Sequence, residues 1–308
     1  MTTLYVSNAA FLEHLTPAGH PERPDRLRAI AKRMADPVFA SLERVDAPLA
    51  PIEAALLAHD EDYVQALAEI APHEGRVQID ADTSMSPGSM EAILRALGGA
   101  MHATDRVMRR EVANAFLVAR PPGHHAESRK AMGFCFFNTA AIAARHAQKA
   151  HGAARVAIID WDVHHGNGTQ EIVWKDPSIL YASTHQMPLY PGTGDPSETG
   201  AGNIFNVALE DGDGGPQFRA AFEGTIIPAL DRFKPDIVII SAGFDAHRRD
   251  PLGGLRLDEA DFVWATEALM AVADRHAGGR LLSILEGGYD LEGLSASVAA
   301  HVARLMVA

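Results

Sequence analysis

The chain has 308 residues, 47% of them hydrophobic, and a formal net charge of −13. That balance argues against nonspecific binding to nucleic acid or to an anionic membrane, both of which need clustered Lys and Arg. One cysteine, Cys135, excludes an internal disulfide and fits a reducing compartment; with no export signal at the N-terminus and no apolar run near ~20 residues, a cytoplasmic protein without a membrane span is expected.

Thr3 to Val6 reads as a short strand. His20-Pro-Glu-Arg-Pro-Asp-Arg26 leads into an amphipathic helix ending near Met34, with the two prolines marking its entry. Arg26 on that helix either turns inward or sits solvated on its face. Glu61–Ile70 and Pro87–Arg109 have helical apolar periodicity. Asn114–Val118 reads as a buried strand running into the stiff loop Arg120-Pro-Pro-Gly-His-His125, where the prolines forbid helix. Gly133-Phe-Cys-Phe-Phe-Asn138 precedes a helix from Asn138 to about Ala150. Strands are predicted at Val156–Ile159, Ile179–Ser183, Ile204–Ala208, Asp236–Ser241 and Leu281–Leu285. Helices are predicted at Gln217–Phe233, Asp258–His276 and Ser295–Met306, and Gln186–Ala201 reads as a Pro/Gly-rich loop.

Strands and helices alternate without linker, repeat or low-complexity segment. This predicts one α/β domain over residues 1–308, a mostly parallel sheet with helices on both faces. In such sheets the site lies beyond the carboxyl ends of the strands. The unusual loops are there, after Val118, Ile159, Ser241 and Leu285.

The stretch Val156–Thr169 reads V-A-I-I-D-W-D-V-H-H-G-N-G-T. Side chains of an extended chain alternate faces, so Asp160, Asp162 and His164 point the same way. Taken alone, the pattern is equally compatible with ordinary loop residues. Acids this close repel unless a cation or a proton lies between them, however, and a divalent metal suits two carboxylates and an imidazole. Gly166 and Gly168 let the backbone turn away at once. The other three loops bring His124-His125, Asp245 and Tyr289 to the same end of the sheet.

Five motifs in order, R-P-P-G-H-H at 120–125, G-F-C-F-F-N at 133–138, D-W-D-V-H-H-G-N-G-T at 160–169, S-A-G-F-D-A-H at 241–247 and E-G-G-Y at 286–289, resemble the zinc-dependent deacetylase superfamily. That superfamily holds the histone deacetylases and the acetylpolyamine amidohydrolases. The resemblance runs from His20 to Tyr289 and implies the arginase/deacetylase fold. It implies that Asp162, His164 and Asp245 bind one Zn²⁺. Their oxygen-rich set leaves Fe²⁺, Co²⁺ or Mn²⁺ as competitors, and three protein ligands leave positions open for water and substrate.

It further implies that His124 and His125 are catalytic, the first oriented by Asp160 and the second paired with Asn167. A neutral amide does not favour the imidazolium, so His125 is expected to rest neutral and act as base, then acid. His124 is expected to be the more readily protonated of the two. Tyr289 matches the donor to the substrate carbonyl. Phe134, beside Gly133, matches one wall of a narrow tunnel, and Tyr190 in Pro188–Pro191 the opposite wall. Leu252 stands where one polyamine-specific branch carries a carboxylate, and Arg26 matches an arginine lining the acetate exit. Structural K⁺ or Na⁺ sites are implied on backbone carbonyls of Asp160, Asp162, His164, Ser183 and Thr184, with a second around residues 173–179.

The expected reaction is removal of acetyl or short acyl groups from acyl-lysine or another alkylamine. Acetylpolyamines are the alternative, and Ala71–Ser86 looks short for the loop inserted in many polyamine enzymes. An arginase-like di-manganese hydrolase is disfavoured because Gly166 and His247 stand where further carboxylates are required. A non-catalytic acyl-lysine binder is disfavoured by the intact Tyr289, His125 and ligand set. Oligomeric state is not legible in the sequence.

Overall fold

A computed structural model describes residues 1–307. The strands are β1 (Thr3–Ser7), β2 (Glu43–Asp46), β3 (Val77–Gln78), β4 (Ser84–Met85), β5 (Asn114–Leu117), β6 (Val156–Asp160), β7 (Ile179–Gln186), β8 (Ile204–Leu209), β9 (Ile237–Ala242) and β10 (Leu281–Leu285). Eight of them form one sheet in the order β2-β1-β5-β10-β9-β6-β7-β8, and every neighbouring pair is parallel. β3 and β4 make a small antiparallel hairpin.

The central strands read as continuous apolar runs because helices cover both faces. Val156–Ile159, Ile237–Ile240 and Leu281–Leu285 are buried throughout. Helices α1 (Asp25–Arg33), α2 (Glu61–Ile70), α3 (Ser89–Met108), α4 (Thr139–His151), α5 (Asn167–Val173), α6 (Gly215–Ala221), α7 (Ile227–Phe233), α8 (Glu259–Val272) and α9 (Leu291–Leu305) complete the domain. α3 and α4 pack on each other and on the central strands, while α1, α8 and α9 form another packed group.

The order of the sheet explains why the motif-bearing loops meet. β5, β10, β9 and β6 are consecutive neighbours, so the segments leaving their carboxyl ends are adjacent. Register keeps them level: Asp160 pairs with Ser183 on one side and Ser241 on the other, and Ser241 pairs with Ile284. Buried apolar strands thus give way to a polar layer at one height across the sheet.

Several boundaries differ from the sequence reading for local reasons. α9 starts at Leu291, four residues before Ser295, because the Asp290 side chain accepts from the Gly293 N–H at 2.7 Å and caps it. The predicted helix 217–233 contains a π-turn at Phe222–Ile226, just before Pro228, whose missing N–H cannot complete the α ladder. β7 runs on to Gln186. The edge strand β2, the hairpin β3–β4 and the short helix α5 carry too few apolar residues to have been read from periodicity. No helix among the described residues is long and apolar enough to cross a membrane.

Candidate active site

Asp160 is the last residue of β6, and the chain then bends. Its carboxylate accepts the Asp162 N–H at 3.1 Å, and that of Asp162 accepts the His164 N–H at 2.9 Å. These short-range bonds hold the acids and the imidazole on one side of the turn. Asp245, from the loop after β9, accepts the Val163 N–H at 2.8 Å. His164 Nδ1 consequently lies 3.1 Å from both Asp162 Oδ1 and Asp245 Oδ2, and the three ligand atoms sit within 4.8 Å of one another.

These residues fit a divalent cation. Asp162 and Asp245 are almost wholly buried, where like charges cannot both persist without a counter-charge. Burial, and then Asp162, push the Asp245 carboxyl up to about 7. The two carboxylates overcome the effect of burial on His164 and raise it to about 10. The imidazolium thus stands where a metal would balance the site. Glycines close round it: a Cβ at Gly287 would overlap the carboxylates of Asp245 and Asp162, and one at Gly243 would overlap Asp162. The Gly287 N–H also donates to Asp162 Oδ2 at 2.8 Å.

Beside this cluster, the His124 and His125 rings lie with centroids 4.0 Å apart and planes tilted by 45°. His124 Nδ1 is 3.0 Å from Asp160 Oδ2, and His125 Nδ1 is 2.8 Å from Asn167 Oδ1. Burial alone would lower His124, but Asp162 and Asp160 outweigh it and hold the imidazole well above its ordinary value. Burial together with the neighbouring His124 and His164 holds His125 well below.

A cavity of about 260 Å³ opens onto the cluster, lined by Asp82, His125, Gly133, Phe134, His164, Leu189, Tyr190, Leu252 and Tyr289. His125, Gly133 and His164 are its buried floor, whereas Asp82, Phe134, Leu189, Tyr190, Leu252 and Tyr289 are more exposed and form its walls and rim. Phe134 holds a left-handed φ of 69°, uncommon for a bulky residue. Its N–H is fixed by Thr83 Oγ1 at 2.9 Å, and its ring meets that of Tyr289 edge-on at 6.0 Å. Gly133, at φ 55°, lies so close that a Cβ there would be 2.5 Å from the His125 ring. Burial keeps the Tyr289 hydroxyl protonated far above its ordinary range. Larger surface hollows of about 430 and 760 Å³ do not reach the ligand cluster.

Residues 20–305 match the histone deacetylase domain. The chain belongs to the histone deacetylase family. It is 39% identical over 300 residues to a probable deacetylase of Archaeoglobus fulgidus, covering 95% of this chain and 83% of that one. It is also 39% identical over 301 residues to histone deacetylase 10, chloroplastic, of Oryza sativa subsp. japonica, covering 91% and 68%. The crystal structure of the HDA15 HD domain superposes with a TM-score of 0.93 at 38% identity, over 99% of this chain and 88% of that chain. The chain is accordingly a deacetylase, hydrolysing the amide of an acylated amine, in a family that is typically metal-dependent.

Arg26 turns inward. It is fully buried, donates to the Gly288 and Glu286 carbonyls at 2.5 Å each, and lies 5.0 Å from the centre of the Tyr289 ring. The sequence reading missed its partner Glu22, which is buried between Arg26 and Arg120 and pairs with both. It also missed Glu286, which accepts the Gly123 and His124 N–H groups at 2.7 and 3.2 Å and ties the tandem-histidine loop to β10. Asp250 accepts the Tyr289 N–H at 2.7 Å, Asp82 stands at the rim, and Glu127 accepts from the Asn167 amide at 2.8 Å. An acid immediately after an apolar strand, as Glu286 is, was the one available signal; the others are neighbours only in space.

Proposed function

We propose that this deacetylase removes acetyl or short acyl groups from the side-chain amine of acyl-lysine in peptides or proteins. One Zn²⁺ on Asp162, His164 and Asp245 is the proposed cofactor, with residues 1–308 forming one catalytic unit. The observation that carries the reading is a single cavity joining the ligand cluster, a neutral imidazole and a protonated phenol beneath an apolar entrance. An extended methylene chain between Phe134 and Tyr190 gains about 0.8 kcal/mol per CH₂ from apolar burial.

Zinc bound there would lower the pKa of water from 15.7 toward about 7 and polarise the amide carbonyl. His125 takes the proton of the attacking water and returns it to the leaving amine. Its Nδ1–H donates to Asn167, which leaves Nε2 as the basic atom. Glu127 sets this arrangement: a carboxylate only accepts, so the Asn167 NH₂ must face Glu127 and its oxygen must face His125. His124, paired with Asp160, carries positive charge beside the reaction. Tyr289 donates to the carbonyl oxygen as charge grows there, a contribution of about 3 kcal/mol, while Arg26 and Asp250 hold its loop.

Structural K⁺ or Na⁺ on the Asp160, Asp162, His164, Ser183 and Thr184 carbonyls belongs to the same proposal, supported by the paired register of Asp160 and Ser183. The second such site is proposed around residues 173–179. A cytoplasmic location rests on the lone buried cysteine, and the chloroplastic rice relative marks a different compartment within the family.

Acetylpolyamines are the second reading, favoured by one observation. Asp82 offers a carboxylate at the rim that could meet a free ammonium, although it can equally accept a peptide N–H. Kinetics on acetyl-lysine peptides, N-acetylputrescine and N-acetylcadaverine decide between them. The proposal expects the higher kcat/KM on the peptides; a preference for the polyamines would overturn it.

A further inference from the structure

A second group of metal-binding side chains meets between α3 and α4. Asp105 lies near the end of α3, His146 on α4 and His151 at its last residue. Both imidazole Nε2 atoms approach one carboxylate oxygen, Oδ1 of Asp105, at 2.8 and 2.6 Å. The three ligand atoms lie within 4.8 Å of one another, and the two rings are nearly perpendicular with centroids 5.9 Å apart. The side chains of His146, His151 and Asp105 are 14%, 13% and 29% exposed, sheltered yet open to an ion from solvent. The cluster is remote from the cavity. α4 starts beside the tandem-histidine loop, runs back across the sheet, and ends just before β6 begins.

Without an ion, each Nε2–H donates to the carboxylate. Burial raises the Asp105 carboxyl, but hydrogen bonds from His151 and His146 outweigh it and hold the group below its usual range. A cation can replace the two shared protons if each ring carries its proton on Nδ1 instead. Bonds of about 2.0–2.1 Å to a tetrahedral ion separate its ligands by roughly 3.3 Å. The 2.6–2.8 Å separations here need only a small widening by side-chain rotation. One turn earlier on the same helical face, His102 carries a buried Nε2 with no hydrogen-bond partner among the described residues.

We propose that Asp105, His146 and His151 form a second, non-catalytic site for a divalent transition metal of the zinc class, clamping the end of α3 to the end of α4. Two imidazoles and one carboxylate suit Zn²⁺, Co²⁺ or Ni²⁺ and not Ca²⁺ or Mg²⁺, which take oxygen ligands. Three protein ligands leave positions for water. The proposal does not depend on the substrate or on the catalytic roles assigned above.

The test is zinc stoichiometry on untagged full-length protein, dialysed to low micromolar free Zn²⁺ and measured by elemental analysis with thermal unfolding alongside. The wild type should hold two ions per chain, while His151→Ala and Asp105→Asn should each hold one. Asp105→Asn keeps an oxygen acceptor, which guards against a folding defect. The second equivalent should raise the wild-type Tm by roughly 2 °C or more and leave His151→Ala unmoved. Deacetylase kcat/KM of both variants should stay within about twofold of wild type. One ion per chain in the wild type that both variants retain would overturn the proposal. Two ions persisting in both variants would also overturn it, by placing the second ion away from Asp105, His146 and His151.

Discussion

Two clusters of three Asp and His donors, two Asp and one His in the first and one Asp and two His in the second, sit at opposite ends of the sheet. Asp162, His164 and Asp245 lie past the carboxyl ends of β6 and β9, buried beneath a cavity that reaches His164. Asp105, His146 and His151 lie between two helices at the other end, partly exposed. Three converging Asp and His donors are therefore not enough to make a site catalytic. The end proposed to be catalytic adds His125, Tyr289 and an apolar entrance, and it does so because four adjacent parallel strands end at one height. Helix packing at the far end brings ligands together and nothing further.

The comparison is most strongly exposed by removing ligands at each end. Asp162→Asn should abolish metal binding at the catalytic cluster and lower kcat/KM by roughly 10⁴ or more, measured on an acetyl-lysine peptide together with metal content. His146→Ala should leave kcat/KM within about twofold; equal losses at the two ends would erase the distinction. Next, Tyr289→Phe removes one hydroxyl and should lower kcat by about 10²–10³ with KM little changed. A change confined to KM would instead place the hydroxyl in ground-state binding.

Asn167→Asp sharpens the contrast between the paired histidines. His125 is held below its ordinary value, so its acidic limb in the pH–kcat/KM profile should lie below about 6.5. A carboxylate at position 167 favours the imidazolium, so the limb should move upward by about one pH unit or more. The variant then loses activity at pH 6 while approaching its plateau at higher pH; an unmoved limb would detach His125 from the base role. Glu127→Ala is the mildest of the active-site changes that lower kcat. It frees the Asn167 amide to turn and should lower kcat by about tenfold, with part of the His125 ring shifting to the Nε2–H tautomer in ¹⁵N spectra. Glu127→Gln retains an acceptor oxygen and should recover most of the rate.

Much of this site was legible because its residues follow buried apolar strands. Val156–Ile159, Asp236–Ser241 and Leu281–Leu285 announce themselves as central strands, and the period of two after Ile159 puts Asp160, Asp162 and His164 on one face. What stayed hidden depends on pairing across the fold. Glu127 matters only because Asn167 turns toward it, Glu22 only because Arg26 and Arg120 converge on it. Asp82 belongs to a hairpin too short for periodicity to show. The start of α9 was misplaced because a single capping contact, Asp290 to Gly293, outweighed the apolar pattern. The Asp105 cluster joins three partly buried positions on two helices, where neither spacing nor hydrophobicity carries a signal.

Anomalous diffraction at the zinc edge, from crystals of zinc-loaded protein, tests the central claim most directly. The account predicts a peak within about 2.2 Å of Asp162, His164 and Asp245, facing the cavity that His125 and Tyr289 line. Full zinc occupancy elsewhere with no peak among those three side chains would contradict it.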